Sequence, residues 1–501
     1  MELIDNLLLG FGVALQPINL LYCFLGVLIG TLVGVLPGIG PVAAMSLLLP
    51  VTFTAPPAAG IIMLAGIYYG SMYGGSTTAI LVNIPGEAAS VVTTLDGHQM
   101  ARQGRAGPAL GIAAIGSFIA GTFAIVGLML VAPSLARFAV SFGPPEYFSL
   151  MVLGLSILTY LSQGSLLKAL MMACFGLVLG LVGLDSISAV PRLTFDRMEL
   201  VDGVGLVPVV MGLFGIAEIL VNIEQRLLRS IFTERIRGLL PSRQDWAESA
   251  GPVTRGSLLG FVLGILPGGG AVISSFLSYA LEKRLSKTPE KFGKGAIAGV
   301  AGPEAANNAA AGSGFIPLLT LGIPPNVVVA LLLGAFIVHN VQPGPLLMTQ
   351  NPALFWGIVA SMYIGNAMLL VLNLPLIGLW VQVLKVPYRI LFPLILLFCL
   401  IGVYSLGNSV FDIYVMIAFG LLGYLMRKFG YEPAPLVLAF VLGPLMENKL
   451  RQALILSDGS FAIFFESRIS LACLVLAFVL LASAILPVLR RRRQRIAVEA
   501  S

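Results

Sequence analysis

Two stretches of this chain contain almost no group that can carry a charge. From Asn6 to Gly86 there is no Asp, Glu, Lys, Arg or His, and from Ala305 to Leu384 the sole such residue is His339. A helix of about 20 apolar residues already crosses a bilayer, so runs this long cross or re-enter the membrane several times. Soluble domains carry about 25% charged residues. This chain has 10%, with 58% hydrophobic residues and a mean hydropathy of +0.98. The expected fold class is therefore an all-α polytopic membrane protein, with about twelve membrane elements.

Sidedness follows from the bases, because short Lys/Arg-rich loops stay in the cytoplasm. "LRRRRQR" closes the last apolar run and puts the C-terminus inside. The loop with Arg226, Arg229, Arg235, Arg237 and Arg243 is inside too, as is the stretch with Lys283, Arg284, Lys287, Lys291 and Lys294. Glu2 and Asp5 precede the first base, Arg102, which places the N-terminus outside. No removable signal peptide is expected. The net charge of +6 thus reflects membrane topology and gives no reason to expect nucleic acid. The four cysteines, Cys23, Cys174, Cys399 and Cys473, sit apart in apolar runs and read as small buried hydrophobes.

Between two cytoplasmic signals, Gly256 to Leu281 holds only 26 residues, split by "PGGG" into arms of 11 residues each. At 1.5 Å per residue each arm reaches roughly 16 Å, half the hydrocarbon thickness. That geometry predicts a re-entrant hairpin with its tip near the midplane. The same grammar occurs earlier: Gly26, Gly30, Gly34 and Gly38 each precede Gly256, Gly260, Gly264 and Gly268 by 230 positions, and "GVLPGIG" matches "GILPGGG". Glycine every fourth residue makes a flat helix face for close packing. With the N-terminus outside, the two hairpins enter from opposite faces, as in the inverted repeats of secondary transporters.

The expected organisation is a first repeat over 1–222, with a hairpin at about 18–56 and a broken helix at about 60–86. A basic cytoplasmic loop over 223–255 separates it from a second repeat over 256–489, with a hairpin at 256–281 and a broken helix at about 296–325. A basic tail, 490–501, follows.

Proline at a hairpin tip ends one half-helix, and the glycines after it leave free N–H groups at the start of the next. Pro37, Gly38, Gly40, Gly268, Gly269 and Gly270 are therefore candidates for holding an anionic carboxylate, with packing kinks as the alternative. Each hairpin is followed by polar residues in apolar sequence. Ser76, Thr77, Thr78 and Asn83 stand in the first copy, and Asn307, Asn308, Ser313, Thr320 and Asn326 in the second. Hydroxyls and amides suit carboxylate oxygens and Na⁺, although helix–helix hydrogen bonding also explains them. Glu304, the one formal charge between Lys294 and Lys385, is an ion-coupling candidate, with an interfacial location as its alternative. Thr320 and Glu87 are further ion-coupling candidates. For Glu87 and Asp96, a loop salt-bridged to Arg102 and Arg105 is the simpler account. His339 reads as a structural histidine. No HExxH, GxSxG or Walker A motif is present, and "SLLK" at Ser165–Lys168 has no accompanying acylase pattern. No catalytic residue, metal site or cofactor is expected.

The chain also resembles a known family, the large membrane subunit of the tripartite tricarboxylate transporters. The resemblance rests on "GVLPGIGP", "NIPGEAASVVTTLDGHQMARQGRAGPALGIAA", "GILPGGGAVISSFLSYALEKRLSK", "GPEAANNAAAGSGFIPLLTLGIP" and "HNVQPGPLL", which together cover nearly the whole chain. It implies a bacterial inner-membrane permease working with a small membrane subunit and a periplasmic solute-binding protein. It further implies import of citrate-like carboxylates driven by a gradient of Na⁺ or H⁺. One departure is "GIPPN", where the family pattern has Gly after Ile-Pro: Pro325 removes a backbone donor. The alternatives are an ion-coupled transporter or channel for another small organic anion, or a polytopic lipid-handling protein.

Overall fold

The computed structural model describes residues 2–36, 40–161, 165–185, 187–225, 238–268, 270–384 and 388–499. Pro37, Gly38, Gly269 and the loop arginines Arg226, Arg229, Arg235 and Arg237 lie outside the described residues. In chain order the first helices are α1 (Glu2–Ala14), α2 (Pro17–Val35), α3 (Gly40–Thr52), α4 (Pro57–Val82), α5 (Val91–Arg102), α6 (Ala106–Ala139), α7 (Pro144–Leu161) and α8 (Leu166–Gly180). Then come α9 (Leu206–Val210), α10 (Ala217–Gln225), α11 (Arg243–Ile265), α12 (Gly270–Leu285), α13 (Ala298–Ser313), α14 (Phe315–Leu321), α15 (Val327–Val338) and α16 (Leu347–Gln350). The last are α17 (Pro352–Asn373), α18 (Ile377–Val383), α19 (Tyr388–Gly407), α20 (Val410–Lys428), α21 (Pro433–Leu456), α22 (Ile463–Glu466) and α23 (Arg468–Glu499). A π-helical turn, Met211–Ile216, joins α9 to α10.

Among the described residues, five helical segments are long and apolar enough to cross a membrane: Pro17–Val35, Ala106–Ala139, Leu206–Glu224, Pro352–Asn373 and Val410–Lys428. Six shorter apolar helices accompany them. The chain is an all-α, multi-pass membrane protein. Packing groups it into two compact units, Met1–Arg137 with Val207–Tyr424, and Phe138–Leu206 with Leu425–Ser501. This grouping differs from the 1–222 and 256–489 segments read from sequence, because helix contacts between distant parts of the chain decide it.

In the first unit, α2 and α4 pack backbone to backbone. A Cβ at Gly26, Gly30 or Gly34 would run into the carbonyls of Met63, Ile67 and Ser71. In return, one at Gly66, Gly70 or Gly74 would run into α2 around Val27 to Thr31. The pair α11 and α13 packs the same way, with Gly256, Gly260 and Gly264 facing the carbonyls of Gly302, Ala306 and Ala310. Glycine here removes the side chain that would hold two backbones apart.

Both α2 and α11 end in an extended leucine, Leu36 and Leu266. The chain restarts as α3 at Gly40 and α12 at Gly270, both at positive φ, a conformation that costs an L side chain about 1–2 kcal/mol. Helix α4 is buried from Ala59 to Val82 and α13 from Gly299 to Ser313. A helix apolar or small on every side belongs in the interior. The first copy's helix is continuous to Val82 and is interrupted only beyond it, where Asn83 takes the left-handed conformation. The second copy is divided at Gly314 and again after Leu321.

In the second unit, α21 packs against α7 and α8, and Gly176 lies against the Leu436 carbonyl. The strands β1 (Gly183–Leu184) and β2 (Pro191–Arg192) form a short antiparallel ribbon. An ion network fastens it: Arg192 binds Glu447 at 2.7 Å, and Arg451 binds Asp185 at 2.5 Å and Glu447 at 3.3 Å.

Candidate functional site

Glu304, on the second turn of α13 in the first unit, is 0% exposed. Three neutral donors from three helices reach its carboxylate. Ser76 of α4 donates to Oε2 at 2.5 Å, Asn307 of α13 donates to Oε2 at 3.1 Å, and the Thr93 hydroxyl of α5 donates to Oε1. Behind it, the Asn308 amide donates to Ser117 Oγ at 2.7 Å, to Asn307 Oδ1 at 2.6 Å and to the Glu304 carbonyl at 3.0 Å. Among the described residues Glu304 has no ion-pair partner. An isolated buried carboxylate is costly unless hydrogen bonds or a bound cation stabilise it.

A cavity of about 10 Å³, close to the size of one water, adjoins this cluster, lined by Tyr73, Ser76, Thr77, Ser117 and Asn373 among others. Tyr73 donates to Asn366 Oδ1 at 2.7 Å, and Asn366 in turn holds the Phe118 carbonyl and Thr122.

The two helix breaks are tied down differently. Thr78 reaches back from α4 and donates to the Val35 carbonyl at 2.7 Å, satisfying an orphan acceptor at the end of α2. At the other break the Gly268 N–H donates to the Pro325 carbonyl at 2.8 Å. Asn326 caps α15 by accepting from the Val329 N–H, and its amide points to Tyr68 Oη at 3.3 Å. Pro325, which has no N–H to offer, therefore contributes its carbonyl to holding the second break.

Of the residues singled out in the sequence, Ser76, Asn307, Asn308 and Glu304 come together in one network. Gly268 and Asn326 sit at the second break, and Thr78 at the first. Thr320 and Ser313 bond only their own helix, to the Ile316 and Ala310 carbonyls. Asn83 is exposed and ends α4. Thr93, Ser117 and Asn366 join the network but were not singled out. Asn366 is a lone amide in apolar helical sequence, which is a legible signal, whereas Ser117 and Thr93, the latter beside Thr94, are hydroxyls that a helix backbone accommodates on its own.

Asp96 and Glu87 depart from the salt-bridged loop. Asp96 Oδ1 accepts from the Gly293, Gly295 and Ala296 N–H groups at 2.7–2.9 Å, and Oδ2 accepts from the Tyr279 hydroxyl at 2.9 Å. Arg105 pairs with Asp245 instead. Burial works against the Asp245 charge, but the Ser242 N–H and hydroxyl and the Arg105 guanidinium outweigh it, so its carboxyl lies below the usual range. Glu87 caps the turn Ala88–Ser90, with Oε2 accepting from the Ala89 N–H at 2.6 Å.

Residues 20–438 match the family described as "Tripartite tricarboxylate transporter TctA family". The chain belongs to that family. It is 54% identical, over 100% of its length and 99% of the relative's, to an Agrobacterium vitis protein described as "Uncharacterized 52.8 kDa protein in TAR-I ttuC' 3'region". A second Agrobacterium vitis relative, from the "TAR-II ttuC' 3'region", is 56% identical over 48% of this chain and 99% of its own length. No solved structure matches. This TctA-family chain is thus a subunit of a tripartite tricarboxylate transporter, a transport protein by family. The tripartite architecture implies partner subunits and a solute-binding protein.

Proposed function

We propose that the chain is the large permease subunit of a binding-protein-dependent importer of citrate-like carboxylates, driven by a Na⁺ or H⁺ gradient. The observation that carries this reading is the Glu304 cluster. A carboxylate with no ion-pair partner among the described residues lies in the protein interior, held by neutral donors from α4, α5 and α13. Hydroxyls donate or accept by rotating. Ser76 and Thr93 can therefore turn their lone pairs toward a cation at Glu304 as it arrives. A cation there offsets the charge that would otherwise repel an anionic substrate. The N–H groups opening α3 and α12 and the nearby amides then take the substrate's carboxylates.

In this reading α2–α3 and α11–α12 are re-entrant hairpins of two inverted repeats, entered from opposite faces. The permease lies in a bacterial inner membrane with its C-terminus in the cytoplasm. A small membrane subunit and a periplasmic binding protein complete the system, and alternating access moves one body against another around the site. The test reconstitutes the three components in proteoliposomes and measures uptake of a panel of labelled carboxylates under imposed Na⁺ or pH gradients. Saturable, gradient-dependent accumulation of a tricarboxylate is expected. Equal, non-saturating flux with and without either gradient would overturn the reading in favour of a channel.

A further inference from the structure

We infer that Glu87 provides a second position for a coupling cation, separate from Glu304; this rests on the ion-coupled reading above. Glu87 is 8% exposed, and only one of its carboxylate oxygens is used. Oε2 accepts from the Ala89 N–H, while the buried Oε1 has no hydrogen-bond partner among the described residues. Glu304 differs, since donors engage both of its oxygens.

The Glu87 side chain is also fixed in place. It forms a capping box with Ser90, and its Cγ lies so close over Gly75 of α4 that a Cβ there would meet it at 2.9 Å. The preceding residue, Gly86, rests on the carbonyl of Gly34, one turn before the first break, while the turn that Glu87 caps packs on α12. The segment that carries the free oxygen is therefore held between the end of α2 and the arm of the second break. That oxygen has no Lys, Arg or His as ion-pair partner among the described residues. A buried carboxylate oxygen without a donor is an acceptor for a hard monovalent cation or a proton. Because the residues on either side of Glu87 pack on elements from both breaks, Gly86 on α2 and the turn Ala88–Ser90 on α12, a cation there is sensed by both. Two separate carboxylates give a cycle that carries one more positive charge than Glu304 alone supplies.

The experiment uses the complete three-component transporter in proteoliposomes with labelled citrate as probe. The membrane voltage at which net flux stops gives the charge moved per substrate, with Na⁺ and pH gradients imposed separately to identify the cation. In Glu87→Gln the charge moved should fall by one, and Glu87→Asp should restore it. Should Glu87→Gln be too slow for net flux, citrate exchange at equal ion concentrations replaces that reading. Its order in the driving cation should then drop by one. An unchanged charge, or an unchanged order of exchange, overturns the inference. A wild-type transporter indifferent to both gradients refutes the ion-coupled reading itself, which is a different result.

Discussion

Replacing Glu304 by Gln and by Ala separates its charge from its hydrogen bonds. In Glu304→Gln the amide oxygen can stay at the Oε2 position, where Ser76 and Asn307 donate, leaving the nitrogen to face Thr93 alone. The Thr93 hydroxyl can accept as well as donate, so all three contacts survive in neutral form. Each weakens from about 1.5–3 to about 0.5–1.5 kcal/mol. Removing a buried charge returns several kcal/mol of desolvation in the opposite direction. Folded stability should therefore stay within about 1 kcal/mol of wild type or rise. In Glu304→Ala the Asn307 amide and the Thr93 hydroxyl lose the acceptor they have among the described residues and a cavity opens, while Ser76 keeps the Met72 carbonyl at 3.1 Å. A loss of about 2–4 kcal/mol follows. Thermal unfolding in detergent reads the stabilities, and gradient-driven citrate accumulation, lost in both variants, reads the coupling. If Glu304→Gln unfolds as early as Glu304→Ala, the ionised carboxylate is itself a structural fastening. If it accumulates citrate at the wild-type level, Glu304 does not couple the ion.

Gly260→Leu should destabilise by about 1–3 kcal/mol or more, because its Cβ would fall on the Ala306 carbonyl of α13. The exposed neighbour Leu258, changed to Ala, should stay within about 0.5 kcal/mol; equal unfolding temperatures for the two would show that close α11–α13 contact is dispensable. Asp245 titrates below its unfolded value of 3.8, so its contribution is present above that value and fades as pH falls through the lower folded value. Asp245→Asn should flatten that acid limb of a stability–pH curve, and an identical limb in the variant would rule out the Asp245–Ser242–Arg105 contacts as its cause.

How much of this was legible beforehand depends on what kind of signal each residue leaves. The helix breaks were, because Leu-Pro-Gly in an apolar run has few other uses, and the ends of α2 and α11 fall at Leu36 and Leu266. The close packing behind them was legible as fourfold glycine spacing, although nothing in the spacing names α4 and α13 as the partners. Glu304 stood out as a lone charge. Thr93 and Ser117 did not, since a single hydroxyl in a helix bonds its own backbone as readily as a distant carboxylate. Asp96 was read against Arg102 and Arg105 because they are near in sequence. In the fold, the backbone N–H groups of Gly293, Gly295 and Ala296, far along the chain, offer it a better-satisfied partner than an exposed arginine.

The Asp96 fastening bears on what can move. Asp96 and Thr93 lie on α5 and Ser76 on α4, yet their partners are Tyr279, Gly293, Gly295, Ala296 and Glu304. A stroke that pulled α4 and α5 away from α12, α13 and the segment between them would break these six hydrogen bonds, two of them inside the protein on Glu304. A stroke that carries α4, α5, α12 and α13 as one piece breaks none of them. The piece fastened by these bonds joins helices from distant parts of the sequence, and the counterpart it would move against must be sought in helices that share none of them.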